Sequence, residues 1–298
     1  MEAMLVRSPL ASYCFTSNAR ANVRVCYQGQ RGRIGMSSYD EKSGWAIEAS
    51  PGSALLNNGI AVTGWDYGDE ERVYFIGKGD KIFEVCYEQI FRNTVYTTYQ
   101  YLISSAAAAT GVIGRTAAHY SNLAAISFEG NDETRQIRVF FQAKDNIIHE
   151  VCGDGEGNWR EGQTFSAATP ATCIASSQDP DRAYYYRLFY QKPNTAFIEY
   201  VKEEDIEWQE DSHRVFTVNS HNRLCITECG SGDDWSNTRT ITRTMPSSPT
   251  TAVSAIGDPV PVRVYFQVQG SQITEWGTDN DMVDYDVITE SVPTQGSG

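Results

Sequence analysis

The stretch Arg138-Val-Phe-Phe-Gln142, then Ala143-Lys-Asp-Asn146, then Ile147-Ile-His-Glu-Val151, decides the fold. Two apolar runs rich in Val, Ile and Phe, each too short for a helix, flank a polar turn. Such runs favour an extended, pleated chain. The unit is a β-hairpin. Its first phrase recurs as Arg24-Val-Cys-Tyr-Gln28, Arg72-Val-Tyr-Phe-Ile76, Arg187-Leu-Phe-Tyr-Gln191 and Arg263-Val-Tyr-Phe-Gln267, with a weaker copy at Arg214-Val-Phe-Thr-Val218. A second strand follows, as in Lys81-Ile-Phe-Glu-Val85, Phe197-Ile-Glu-Tyr200 and Gln272-Ile-Thr-Glu-Trp276. An apolar run such as Ile60–Trp65 or Leu123–Phe128 precedes several copies. A turn rich in Gly and acids, closing on Trp45, Trp159, Trp208 or Trp235, follows several. Each repeat therefore reads as a four-stranded antiparallel meander.

Successive arginines lie 48, 66, 49, 27 and 49 residues apart. Their mean falls in the range of about 40–50 residues per propeller blade. The spacing predicts an all-β, six-bladed β-propeller occupying residues 1–298 as a single domain. A five-bladed propeller that discards the Arg214 copy is the alternative. The interval of 66 places an insertion within Glu88–Tyr120, and the interval of 27 makes Asp205–Val218 irregular.

Composition narrows the function classes. The 298 residues carry 24 Lys and Arg against 38 Asp and Glu, a net charge of −14. Phosphate backbones and anionic membrane surfaces attract cations, so neither nucleic acid nor membrane is an expected partner. No apolar run approaches the ~18 residues of a membrane span. The first residues lack the basic and apolar pattern of a secretory signal, so the expectation is a cytoplasmic protein or one released by a non-classical route. Seven cysteines, an odd number, sit mostly in strand-like runs and read as reduced, buried thiols. Neither they nor the four histidines show zinc-ligand spacing, so no metal or cofactor is expected.

The chemistry-bearing pattern is a Glu twelve positions after the Arg in four copies: Arg72/Glu84, Arg138/Glu150, Arg187/Glu199 and Arg263/Glu275. With the turn centred on Lys144, Arg138 and Glu150 are expected as lateral neighbours on one face of the hairpin. Trp159 and Trp208 follow their Glu by nine positions. Guanidinium donors, a carboxylate acceptor and an indole face suit a sugar, which presents hydroxyls on one side and C–H groups on the other. The same pairs also read as ordinary cross-strand ion pairs, worth at most about 1 kcal/mol when exposed; on the sugar reading, replacing Arg138 and Arg187 with Ala would abolish most agglutination and leave stability nearly intact. Both readings are open at this point.

In combination these motifs resemble the fungal fucose-specific lectin family, over nearly the whole chain. The resemblance implies a six-bladed propeller, often a homodimer, with no catalysis and several fucose pockets between neighbouring blades. Its partners would be fucosylated glycans or glycoproteins. In that family Arg and Glu hydrogen-bond the sugar, and Trp or Tyr packs on its methyl-bearing side. Carried over, Arg138, Glu150 and Trp159 form one full trio, and Arg187, Glu199 and Trp208 another. Arg263 and Glu275 have Asp284 at the Trp place, with Tyr285 beside it as a substitute. Arg72 and Glu84 have Asn93 there, with Phe91 nearby. The first copy keeps Arg24 and Trp45 but has Met36 where Glu belongs, and is expected to bind nothing. The fifth offers Arg214, Glu228 and Trp235 at altered spacing.

Two other function classes stand beside this one. A propeller glycoside hydrolase would need a carboxylate pair across the scissile bond, and nothing in the sequence singles one out. A propeller scaffold for protein–protein interaction is the third class. Asp154-Gly-Glu-Gly-Asn158 reads as a hairpin turn rather than a calcium loop.

Overall fold

The computed structural model describes residues 3–48, 50, 52–89, 96–102, 116–130, 134–154, 158–178, 184–193, 197–203, 206–209, 215–219, 221–227, 238–241, 252–256, 262–268, 272–278 and 286–294. Among these residues the chain forms six antiparallel sheets, each built from strands consecutive in sequence. The first holds β1 (Leu10–Ser17), β2 (Arg20–Gln28), β3 (Arg33–Asp40) and β4 (Gly44–Ile47), with the short β5 (Gly52–Ser53) also on β3. The second holds β6 (Ile60–Trp65), β7 (Glu70–Gly77), β8 (Lys81–Gln89) and β9 (Tyr96–Leu102). The third holds β10 (Leu123–Glu129), β11 (Arg135–Gln142), β12 (Ile147–Gly153) and β13 (Trp159–Ala167). The fourth holds β14 (Ala175–Gln178), β15 (Tyr186–Gln191), β16 (Phe197–Glu203) and β17 (Ile206–Gln209).

The fifth sheet has three strands among the described residues: β18 (Val215–Val218), β19 (Leu224–Thr227) and β20 (Arg239–Thr240). Five residues, outside the described set, separate the end of β17 from the start of β18. The sixth sheet holds β21 (Val253–Ile256), β22 (Arg263–Gln267), β23 (Ile273–Gly277) and β24 (Asp286–Val292).

By its contacts the chain divides into two compact units, residues 58–211 and residues 1–57 with 212–298. In the first unit, strand alternation sorts each strand's side chains between two apolar layers. Ile137, Val139 and Phe141 of β11 pack with Tyr74 and Ile76 of β7. Phe140, from the other face of β11, packs with Leu188 and Tyr190 of β15. In the second unit, Val23, Val25 and Tyr27 meet Tyr265 and Ile273, while Leu224 and Ile226 meet Val264 and Phe266.

The Gln that ends the phrase has a structural purpose. Gln28, Gln142 and Gln267 are fully buried. Gln142 Nε2 donates to the Thr169 carbonyl at 3.0 Å, and its Oε1 accepts from the Ala171 N–H at 3.0 Å. Gln28 does the same with Leu55 O and Asn57 N, and Gln267 with Leu5 O and Arg7 N. One amide thus satisfies two backbone groups in a segment that enters another sheet, β14, β6 or β1.

Candidate binding site

The β11–β12 turn sets the site's register. Lys144, Asp145 and Asn146 form a three-residue loop, with Asn146 at φ 65° and Ala143 N–H bonded to Ile147 O at 2.9 Å. Such loops end on a residue in the left-handed region, which Asn tolerates. The loop centre is therefore Asp145, not Lys144. Arg138 faces Cys152 across the ladder, and Glu150 faces Phe140. Arg138 and Glu150 are diagonal rather than directly opposed, yet they share a face. The Arg138 Nε lies 3.4 Å from Glu150 Oε1. The same diagonal holds in the other three copies. Arg187 Nη1 to Glu199 Oε1 is 2.8 Å, Arg263 Nε to Glu275 Oε1 is 3.6 Å, and Arg72 Nε to Glu84 Oε1 is 3.9 Å.

These are not exposed ion pairs. Arg138 and Glu150 are each 5% exposed, and Arg72 and Glu84 are 3%. Burial in a low-dielectric interior makes the geometry around each charge decisive. Glu150 Oε1 accepts from the Tyr186 hydroxyl at 3.2 Å and Oε2 from the Gln163 N–H at 2.8 Å. Arg138 donates to Ile137 O at 2.8 Å, and its Cζ stands 5.1 Å from the Phe128 ring centroid and 5.9 Å from that of Tyr186. The pair forms part of the wall of an open hollow of about 600 Å³. Gly162, Gln163, Phe165, Tyr186 and Tyr200 line the same space. Burial pushes the Cys152 thiol, also in the lining, up to about 11, so at neutral pH it is an uncharged patch of wall.

The trio expected within one repeat does not assemble there. Trp159 pairs with Gly153, and Arg160 with Cys152. Even-numbered residues face even-numbered partners across β11, β12 and the start of β13, so Trp159 lies on the opposite face from Arg138 and Glu150. Its odd offset from Glu150 carried that information. The indole instead packs edge-on against Tyr74, with ring centroids 6.0 Å apart at 84°. It reaches the Arg72/Glu84 pair of the second sheet. Burial pushes the Glu84 carboxyl above its ordinary value, against the opposing pull of the Tyr74 hydroxyl, the Arg72 guanidinium and the Trp159 indole. Tyr74 donates to Glu84 Oε1 at 2.8 Å, and the Arg72 guanidinium lies 4.6 Å from the Trp65 ring centroid.

The other unit repeats this exchange. Trp45 of the first sheet packs edge-on against Tyr265 of the sixth at 6.4 Å. Tyr265 donates to Glu275 Oε1 at 3.1 Å, and Thr289 to Glu275 Oε2 at 2.6 Å. At the fourth sheet, Arg187 also donates to the Tyr185 hydroxyl. Met36 of the first copy faces Cys26, the place diagonal to Arg24, and is buried; it brings no acceptor to that guanidinium. Tyr285, Asp284, Phe91, Asn93, Arg214, Glu228 and Trp235, and the side chain of Trp208, lie outside the described residues. Sequence reasoning missed Tyr74, Tyr186 and Tyr265. The signal was parity: Tyr74 and Tyr265 stand two after their Arg and share its face, whereas Tyr186 stands one before Arg187 and faces the preceding sheet.

Comparison with known proteins identifies the family. The family model described as fungal fucose-specific lectin matches residues 3–107 and 106–213. The fucose-specific lectin of Aleuria aurantia is 24% identical, covering 91% of each chain. That of Aspergillus oryzae is 23% identical, covering 87% of this chain and 88% of the relative. The Aleuria aurantia lectin crystal structure, described as a six-bladed β-propeller, superposes with a TM-score of 0.80 at 21% identity, covering 98% of each chain. A variant of that lectin in complex with α-methyl-L-fucoside superposes equally, with a TM-score of 0.80 at 20% identity. The fold of the present chain is accordingly an all-β propeller.

Proposed function

Because the chain belongs to the fungal fucose-specific lectin family, we propose that it is a multivalent, non-catalytic lectin that recognises L-fucose on glycans. The observation that carries this reading is the Arg138–Glu150 pair in the wall of an open hollow, each group fixed by further bonds. Sugar hydroxyls accept from a guanidinium while donating to a carboxylate, and the apolar side of the ring lies on aromatic carbon. Tyr186, Tyr200 and Phe165 supply that carbon here. In this reading Arg138, Glu150 and Tyr186 serve one pocket, Arg72, Glu84, Tyr74 and Trp159 a second, and Arg263, Glu275, Tyr265 and Trp45 a third. Arg187, Glu199 and Tyr185 contribute to a fourth. Each pocket alone holds a single sugar weakly, and several on one molecule raise avidity at a glycan surface.

Calorimetric titration with L-fucose, paired with a glycan array, tests the reading. Saturable binding of L-fucose and retention on fucosylated glycans are expected. Binding confined to another sugar would reassign the specificity, and binding to no glycan would favour a protein-interaction scaffold. Turnover of an aryl fucoside would make the protein a hydrolase.

A further inference from the structure

Tyr200 departs from the pattern that the repeats share. It stands across the ladder from Leu188, the second residue of its phrase. The same place holds Ser37 in the first sheet, Val85 in the second, Val151 in the third and Thr227 in the fifth. The sixth has Trp276, but that side chain is buried against Phe266. Tyr200 is half-buried and lines the open hollow of about 600 Å³ beside Arg138 and Glu150. At the Arg72/Glu84 pair the corresponding residue of the next sheet is Val151, packed with Tyr74.

Register separates this ring from the Arg138–Glu150 pair. Tyr186 brings its hydroxyl to Glu150 at 3.2 Å and faces Lys202 across the ladder. Tyr200 lies two residues from Lys202 on the same face, so it is the diagonal neighbour of Tyr186 at about 7–8 Å. That separation leaves room for a second sugar ring beside the first. The Tyr200 ring is held in place by its neighbours. It stacks on Tyr190 with centroids 5.9 Å apart at 16°, and Phe165 meets it at 5.2 Å. Its hydroxyl donates to Ser166 Oγ at 3.4 Å. A ring fixed in advance loses little freedom when a ligand settles on it. Gln163 is exposed in the same lining, and its Nε2 donates to the Thr164 carbonyl at 2.9 Å, which leaves Oε1 as an acceptor. Arg160, Glu161 and Lys202 also line the hollow. Groups of both signs hydrogen-bond hydroxyls and amides without selecting a charged ligand.

Resting on the fucose reading, we propose that this hollow holds two sugars, with Tyr200 as the stacking platform for a neutral pyranose linked to fucose. Arg138 and Glu150 hold the fucose, Tyr200 carries the C–H face of the next ring, and Gln163 takes one of its hydroxyls. Tyr200 then sets the ligand of this pocket apart from that of the Arg72/Glu84 pocket, where valine offers no flat surface.

The test is calorimetry with methyl α-L-fucoside and with fucose joined to galactose or to N-acetylglucosamine, on wild type, Tyr200→Phe and Tyr200→Val. The quantity read is the ratio of disaccharide to monosaccharide affinity, which cancels any effect on the fucose ring itself. In wild type at least one disaccharide should fill a tighter class of site, about three- to tenfold above the monosaccharide, the range of one aromatic contact. Tyr200→Phe keeps the ring and should retain that class. Tyr200→Val, which installs the residue of the second and third sheets, should lose it. Saturation-transfer NMR on wild type checks the contact without a variant: irradiating aromatic protons should mark the C–H protons of the second sugar. A ratio near one in wild type, a ratio kept by Tyr200→Val or lost in Tyr200→Phe, or an unmarked second ring overturns the platform and leaves the fucose reading standing. If wild type does not bind methyl α-L-fucoside, the fucose reading falls and takes the platform with it.

Discussion

Gly162 has no side chain because the Glu150 carboxylate occupies the space one would need. An ideal Cβ there would stand 2.5 Å from Glu150 Oε2 and 2.8 Å from Cys152 Sγ. Gly162→Ala should push the carboxylate off the Gln163 N–H and away from the sugar. A hydrogen bond to a charged group is worth about 1.5–3 kcal/mol, so L-fucose affinity at this hollow should fall about tenfold or more. Unchanged affinity on titration would show that Glu150 does not hold the ligand. Glu84 offers a second test. Burial raises its folded pKa above the ordinary value of 4.5, so the folded state holds the proton more tightly than the unfolded chain. The sign follows from linkage: Glu84 lowers stability as pH rises from about the unfolded value through the raised folded one. The stability of wild type relative to Glu84→Gln should therefore decline across that window and level off above it. Urea unfolding at a series of pH values reads this difference. A flat difference would mean that the carboxyl is not held in a penalising environment.

Strands and turns show where the sequence was informative and where it was not. The repeated phrase was legible because β-branched and aromatic runs bounded by turn residues admit one backbone state. The Arg–Glu diagonal was half legible. The even spacing placed both residues on one face, but the exact opposition depended on Asn146 taking a left-handed φ, a choice made inside the loop. Burial was not legible, since an alternating strand looks alike whether its polar face meets water or a neighbouring sheet. The difference alters what mutation does. Removing one member of a buried pair leaves the other charged and short of partners, at a cost of about 3–5 kcal/mol. Arg138→Ala should destabilise the protein on this scale, contrary to the near-neutral effect expected of an exposed pair. Replacing both residues, Arg138→Met with Glu150→Leu, should recover most of that loss. Chemical denaturation of the three variants is the measurement. If the single variant matches wild type, water reaches the pair freely and the diagonal carries little structural energy.

At the scale of the molecule, the second, third, fourth and sixth sheets carry an Arg–Glu pair on one face, and the first and third carry an indole on the face opposite their Arg. In the proposed reading a pocket is thereby shared between neighbours in the fold rather than owned by one repeat. Trp159 stands in the same repeat as Arg138 and Glu150 but packs on Tyr74 beside Glu84, and Trp45 makes the same contact with Tyr265. Damage to one repeat should therefore appear in its neighbour's binding. Trp159→Phe, which keeps an aromatic ring, makes this measurable with two double-mutant cycles. One pairs it with Glu84→Gln and the other with Glu150→Gln, and both are read as L-fucose affinity. Residues in contact couple, whereas separated ones add within about 0.3–0.5 kcal/mol. Coupling should appear with Glu84 and be absent with Glu150. The reverse result would mean that the repeat itself is the binding unit, and that the contact of Trp159 with Tyr74 is packing alone.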